Sequence, residues 1–245
     1  MKSRGNKPAG DYQPSGRQQR LGPTFEHEQL AMVRSMTLVA GIDEAGRGPW
    51  AGPVVAAAVI LAPDAIPPGL DDSKALDPVR REQLYAALIN SGARIGIGIA
   101  DVTRIDRVNI LQATFWAMTE AVRKLPDTPA FALVDGNHLP PKLRCPAEAI
   151  VSGDARCVSI AAASIVAKVT RDRIMTALAH TMPGYGFERH KGYGTPEHQE
   201  ALARLGVSPQ HRRSFKPVRA AIEASLRAPD AGTIALTNYS YCSRD

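Results

Sequence analysis

The sequence predicts an α/β domain in which helices cover a mixed β-sheet. Three observations carry this expectation. Short runs rich in Val, Ile and Ala end in charged turns; stretches of helical length lie between the later runs; and a chain of 245 residues suits one sizeable core. The early strands are expected to pair antiparallel, and the later ones, alternating with helices, to pair parallel.

Residues 38–61 read LVAGIDEAGRGPWAGPVVAAAVIL, two apolar strands meeting at a charged turn. The loop APDAIPPGLDDSKAL follows, then an amphipathic helix over about 78–89 and a third strand over about 94–100. Asp101 or Thr103 can cap a helix over about 105–124. FALVDG, residues 131–136, reads as a fourth strand ending in Asp135, and a fifth strand covers about 147–151. Ala161, Ala162, Ala163 and Ala167 let a helix over about 157–180 pack closely on the sheet. Beyond Pro183 the chain reads as loop-rich, through YGFERHKGYGTPEHQEALARLG and the basic HRRSFKPV, to a short helix over about 218–227. No internal repeat is present.

The net charge of +6 favours polyanionic partners, yet half of it lies in residues 1–34, which carry six bases and three acids. Residues 1–22 are polar and rich in Gly, Pro, Ser and Gln, a composition that predicts disorder. They lack an apolar core of signal-peptide length, and no later segment reads as a membrane span, so a cytoplasmic protein is expected. Cys145, Cys157 and Cys242 are odd in number and form no CxxC pair, which argues against a disulfide framework or a zinc site.

The chemistry gathers at strand ends. Asp43 and Asp135 each terminate an apolar run, so neighbouring strands would bring their carboxylates to one sheet edge, with Glu44 beside them. Asp154, in VSGDAR, either reaches the same edge or caps the helix that follows. Clustered carboxylates repel one another unless cations intervene, and oxygen donors suit Mg²⁺ or Mn²⁺. Arg47 stands between Gly46 and Gly48, where missing side chains let backbone approach a phosphate or sugar. The glycine spacing does not match GxGxxG, and the segment that follows reads as a strand rather than a helix, against a dinucleotide fingerprint. Lys74, Lys168, Arg171, Lys191, Arg212, Arg213 and Lys216 offer phosphate contacts, and Tyr193 in HKGYGT could stack on a sugar or base. His138, His190 and His211 read as surface or loop residues. A catalytically silent nucleic-acid binder is the competing class; a phosphotransferase would need a phosphate loop that the sequence lacks.

GIDEAGRGPWAGPVVAAAV, DSKAL, VDG, GDARCVSIAAASIVAKVTRDR, YGFERHKGYGTPEH and HRRSFKPV, in that order, closely resemble bacterial ribonuclease HII over about residues 39–218. The resemblance implies an RNase H-like fold, with a central five-stranded mixed sheet flanked by helices and a small C-terminal helical region. The corresponding domains are a polar extension (1–36), a catalytic domain (37–227, its helical region from about 183) and a loose tail (228–245). The family's four acids fall on Asp43, Glu44, Asp135 and Asp154, which would bind two divalent ions, Mn²⁺ or Mg²⁺. Its GRG motif falls on Gly46, Arg47 and Gly48, and its junction-sensing tyrosine on Tyr193; Lys74 would hold a phosphate. The implied substrates are RNA/DNA hybrids and duplex DNA with embedded ribonucleotides, nicked on the 5′ side to leave 3′-hydroxyl and 5′-phosphate ends. A monomer is expected. The sister ribonuclease HIII has a different segment in place of GRG and a further N-terminal domain, for which residues 1–36 are too short and polar.

Overall fold

In the computed structural model, which describes residues 22–34 and 37–227, five strands form one sheet in the order β3-β2-β1-β4-β5. They are β1 (Val39–Ala45), β2 (Val54–Ile60), β3 (Arg94–Ala100), β4 (Phe131–Asp135) and β5 (Ala147–Ile150). β2 pairs antiparallel with both β1 and β3, whereas β4 pairs parallel with β1 and β5. This is the mixed sheet expected from the sequence, although the helix Pro78–Asn90 lies between the antiparallel β2 and β3, and the parallel β4 and β5 are joined by a loop without a helix.

The helices are α1 (Glu26–Val33), α2 (Pro78–Asn90), α3 (Val102–Val108), α4 (Ile110–Arg123), α5 (Val158–Thr181), α6 (Phe187–His190), α7 (Pro196–Leu205) and α8 (Lys216–Arg227). Alternation along β2 sends Val54, Ala56 and Ala58 to one face, where they meet Ala113, Ala117 and Ala121 of α4. Ala57 and Val59 go to the other, against Ala161, Ala162 and Ile165 of α5. β2 is therefore buried along its whole length, which is why it reads as a continuous apolar run rather than an alternating one.

Three features depart from the sequence expectations. The helix anticipated over 105–124 is two helices, broken at Asn109, whose φ of 69° no α-helix accommodates. Asp101 caps α3 by accepting from the Arg104 N–H at 2.7 Å, and Asn109 caps α4 by accepting from the Gln112 N–H at 3.0 Å. The stretch read as loop contains α6 and α7; Thr195 caps α7 and Pro196 follows at its first position, a start signal present in the sequence. Within the expected N-terminal extension, α1 packs Ala31 against Val39, Leu133 and Ile160. The anticipated disorder of residues 1–22 and the loose tail 228–245, with Cys242, fall almost wholly outside the described residues. Among those described, no helix is long and apolar enough to cross a membrane.

Candidate active site

Parallel pairing sets Ile42 opposite Val134, so the next residues along, Asp43 near the end of β1 and Asp135 at the end of β4, lie abreast. Both lie on the sheet face covered by α5, since their neighbours two residues back, Gly41 and Leu133, meet Ser159 and Ile160. Asp43 is 4% exposed, and its Oδ1 accepts from the Glu44 N–H at 2.6 Å. Adjacent strand residues point to opposite faces, so Glu44 projects to the α4 side, where it lines a narrow cleft with Thr114, Met118 and Asp135.

Asp154 arrives from a different element. β5 leads through Ser152, at φ 53°, into a short 3₁₀ turn, Gly153–Ala155. The Gly153 N–H donates to Asp135 Oδ1 at 2.7 Å, tying this turn to the end of β4 and holding Asp154, 7% exposed, at the same edge. The helix-capping reading of Asp154 does not hold: the N-cap of α5 is Cys157, which makes no side-chain cap bond. Instead Glu28 of α1 reaches the first turn of α5, its Oε1 accepting from the Ser159 N–H at 2.8 Å.

The loop before α2 supplies the cation. Ser73 is bonded to Ser164 Oγ of α5 at 2.8 Å, and its carbonyl accepts from Arg81 Nε at 2.8 Å. Lys74 is thereby held with Nζ 3.7 Å from Asp154 Oδ2. Asp72, which the sequence reading passed over although it lies two residues before Lys74, bears on Asp154 and is a fifth carboxyl at this edge.

Burial pushes Asp43 well above the usual carboxylate range, and the neighbouring charges of Glu44, Asp135 and Asp154 push it further. Glu44 is raised by burial against the opposing pull of Arg47, and Asp154 by burial with Asp135 and Asp72. Burial alone would lower the Lys74 ammonium, but Asp72, Asp43, Asp154 and Asp135 together hold it above its ordinary value. Among the described residues, no three His, Cys, Asp or Glu side chains form a ready-made metal cage. The donor set nonetheless fits a hard divalent ion: it is all carboxylate oxygen, and it is a group of acids whose ionised forms need more positive charge than Lys74 and Arg47 supply.

Gly46, Arg47 and Gly48 follow directly on β1. Gly46 has φ 98°, and a β-carbon there would stand 2.0 Å from Arg171 Nε. That arginine and Arg212 are buried beneath the turn and do not reach solvent, so they are not the phosphate contacts that the sequence suggested. Arg171 donates to the carbonyls of Pro53, Lys191 and Ala51 at 2.9, 3.0 and 3.2 Å. Arg212 donates to those of Gly52, Arg47 and Gly46 at 2.9, 2.9 and 2.6 Å. Two guanidiniums thus clamp the turn from behind and leave the Arg47 side chain facing out, with Nη1 3.4 Å from Glu44 Oε1. Lys191 turns its Nζ to Thr176 Oγ1 at 2.7 Å, and Lys168 pairs with Asp172 at 2.6 Å.

Glu44, Gly46, Arg47, Gly48, Lys74, Lys168 and Tyr193 line one cleft of about 260 Å³. Gly46, Arg47, Gly48, Lys74 and Tyr193 therefore border a single opening beside the acids, whereas Lys191, Arg213 and Lys216 do not line it. Of the histidines read as surface or loop residues, His138 is exposed, but His190 and His211 are buried, together with His198, which the sequence reading did not single out. Their burial was illegible because each sits in a polar, glycine-bearing segment whose partners are distant in the chain.

The family model described as Ribonuclease HII matches residues 40–218. The chain is 59% identical over 202 residues to ribonuclease HII of Parvibaculum lavamentivorans, covering 82% of this chain and 74% of that protein. It is 54% identical over 217 residues to ribonuclease HII of Nitrobacter hamburgensis, covering 89% of this chain and 80% of that one. In three dimensions it resembles the ribonuclease H2 from Pyrococcus horikoshii with a TM-score of 0.67 and 29% identity, over 78% of this chain and all of the other. With its RNase H-like sheet and its acids at the β1 and β4 ends, the chain belongs to the ribonuclease HII family, metal-dependent endonucleases that act on RNA/DNA hybrids.

Proposed function

We propose that this cleft hydrolyses the phosphodiester on the 5′ side of a ribonucleotide, both in RNA/DNA hybrids and at single ribonucleotides embedded in duplex DNA. The observation that carries the reading is the shared opening: Glu44, the Gly46–Gly48 turn, Lys74 and Tyr193 border one cleft, with Asp43, Asp135 and Asp154 at its edge. Asp43, Glu44, Asp135 and Asp154 would hold two divalent ions, Mg²⁺ or Mn²⁺. Such ions supply Lewis acidity for in-line attack of water at phosphorus, which leaves 3′-hydroxyl and 5′-phosphate ends.

The chain's own groups do the rest. Lys74, with most of its side chain exposed, meets the incoming phosphate while offsetting the carboxylates behind it. Gly46 and Gly48 let the sugar approach the backbone, and Arg47, held to Glu44 only at 3.4 Å, is free to turn onto ribose or phosphate. Tyr193, 44% exposed, presents its ring as a stacking surface for the sugar at the junction. All these residues come from one chain, which supports action as a monomer, in the cytoplasm where a bacterial genome lies.

The test is cleavage of a labelled DNA duplex containing one ribonucleotide, with Mg²⁺, Mn²⁺ or EDTA, beside an all-DNA duplex and an Asp43→Asn protein. A metal-dependent nick 5′ to the ribose, absent from both controls, supports the proposal. Tight duplex binding without a nick in either metal refutes it.

A further inference from the structure

His190, His198 and His211 take no part in the chemistry above, yet they form a stacked group inside the C-terminal helical region. The rings of His190 and His198 lie 4.4 Å apart and nearly parallel, His198 and His211 lie 5.2 Å apart, and Phe187 stands edge-on to His190 and His198. His198 and His211 are essentially inaccessible to solvent.

Hydrogen-bond chemistry fixes every proton in this group. The Ser208 backbone N–H lies 3.0 Å from His211 Nδ1 and can only donate, so that nitrogen is bare and the His211 proton sits on Nε2. At the other end, the Tyr193 carbonyl lies 2.9 Å from His198 Nδ1 and can only accept, so His198 is protonated on Nδ1 and bare on Nε2. The two remaining nitrogens, His198 Nε2 and His211 Nε2, face each other at 3.0 Å. One carries a proton and the other does not, as that contact requires. Assignments made independently from the two ends therefore agree, and they describe a directed chain from Ser208 through His211 and His198 to Tyr193.

The chain joins the two walls of the substrate cleft. Tyr193 donates its N–H to the His190 carbonyl at 2.9 Å, and its own carbonyl accepts from the Thr195 N–H at 2.8 Å as well as from His198. With both peptide groups tied, the direction of its Cα–Cβ bond is set. Next to His211, Arg212 donates its N–H to the Trp50 carbonyl at 2.8 Å and its guanidinium to Gly46 and Arg47. We infer that His198, through its bond to the Tyr193 carbonyl, is a positioning residue that fixes the gap between the Tyr193 ring and the Gly46–Gly48 turn, and so sets the selectivity for an isolated ribose. This inference rests on the proposed role of Tyr193 as the reader of the junction. Burial holds both imidazoles below their ordinary range, His211 at about 4, so the chain of bonds stays intact at neutral pH.

The test compares His198→Asn with His198→Gln in the full-length protein. An asparagine amide reaches the place of Nδ1 and still donates to Tyr193, whereas a glutamine amide reaches the place of Nε2 and does not. The readout is the ratio of kcat/KM on a single-ribonucleotide duplex to that on a uniform RNA/DNA hybrid. His198→Asn is expected to keep the ratio and His198→Gln to lower it roughly tenfold, the scale for loss of an outer orienting partner. Melting temperatures should fall alike in both. Equal ratios in the two variants overturn the inference, as does a ¹⁵N-histidine spectrum showing His198 protonated on Nε2. Tyr193→Ala, run beside them, separates the two ideas. If it leaves the ratio unchanged, the junction-reading role fails and the functional half of the inference with it, whatever the spectrum shows. If it lowers the ratio and His198→Gln does not, the positioning role alone is overturned.

Discussion

The ring of Tyr193 lies against Gly48: a β-carbon on that glycine would stand 3.8 Å from Tyr193 Cε1. That is ordinary contact distance, so Gly48 leaves a gap one methyl group wide between the tyrosine and the turn after β1. The gap opens on the cleft that Glu44, Arg47 and Lys74 also line.

Filling that gap tests its use. Gly48→Ala meets no backbone clash and has no positive φ to strain, so it should fold with little change in melting temperature. Cleavage at a single embedded ribonucleotide should fall, with KM rising more than kcat drops, because the methyl stands where the sugar would approach. Steady-state kinetics beside a thermal melt would show it; unchanged kinetics would mean that the sugar does not enter this gap.

Asp43 carries opposite consequences for activity and stability. Asp43→Asn keeps the acceptor that meets the Glu44 N–H but removes a buried charge crowded by Glu44, Asp135 and Asp154. Turnover should fall at least about 100-fold, the upper range for loss of an outer metal partner. In EDTA the variant should melt about 2–4 °C higher than the parent, the shift that about 1 kcal/mol produces in a domain of this size. A lower melting temperature in EDTA would refute this account of the cluster.

Arg212 holds the Gly46–Gly48 turn through the carbonyls of Gly46 and Arg47, bonds that of Gly52 as well, and has no carboxylate partner in those contacts. Arg212→Lys cannot reproduce a planar fork, so at least two buried carbonyls lose their donor, at about 1–3 kcal/mol each. A denaturant titration should show a loss of that order, and weaker cleavage with it. A loss under about 0.5 kcal/mol, the size of an ordinary surface substitution, would contradict the clamp.

Glu28 should behave as the missing cap of α5. Its Oε1 accepts from both the backbone N–H and the hydroxyl of Ser159, so Glu28→Ala leaves the first turn of that helix without its acceptor. The expected destabilisation is about 1–2 kcal/mol. Hydrogen exchange at Ser159 and Ile160 would report it locally, and unchanged protection there would refute it.

The buried imidazoles give stability a definite pH dependence. His211 is held at about 4 against an ordinary value of 6.5, so the unfolded chain binds more protons than the native one across that interval. Its contribution is complete above pH 6.5 and is lost as pH falls towards 4, on the order of 1–3 kcal/mol. Melting temperature should decline over that window, and His211→Gln should flatten the decline; an equally steep fall in the variant would assign it elsewhere.

How much of this was legible depends on whether the deciding interaction is local. The strands could be read because apolar runs and their acidic ends are local patterns, and the antiparallel pairing of β1 with β2 follows from the short turn between them. Asp43 and Asp135, with Glu44 beside them, could be named as candidates because acids ending apolar strands are costly without a compensating charge, whereas Asp154 stayed open to a capping reading and joined them through the family resemblance. Thr195-Pro196 announced α7 in the same local way, and the loop reading of that stretch simply gave too little weight to it. Other features required the fold. A sequence cannot tell a surface arginine from Arg171 or Arg212, because burial depends on carbonyls contributed by the distant turn at residues 46–53. Nor can it show that Glu28 caps a helix 131 positions away, or that His198 and His211 share one proton-ordered contact. The sequence by itself determined which residues are candidates for the chemistry; tertiary structure decided which charges face the cleft and which are buried to hold it in shape, because burial and hydrogen-bond partnership are set by packing between distant segments.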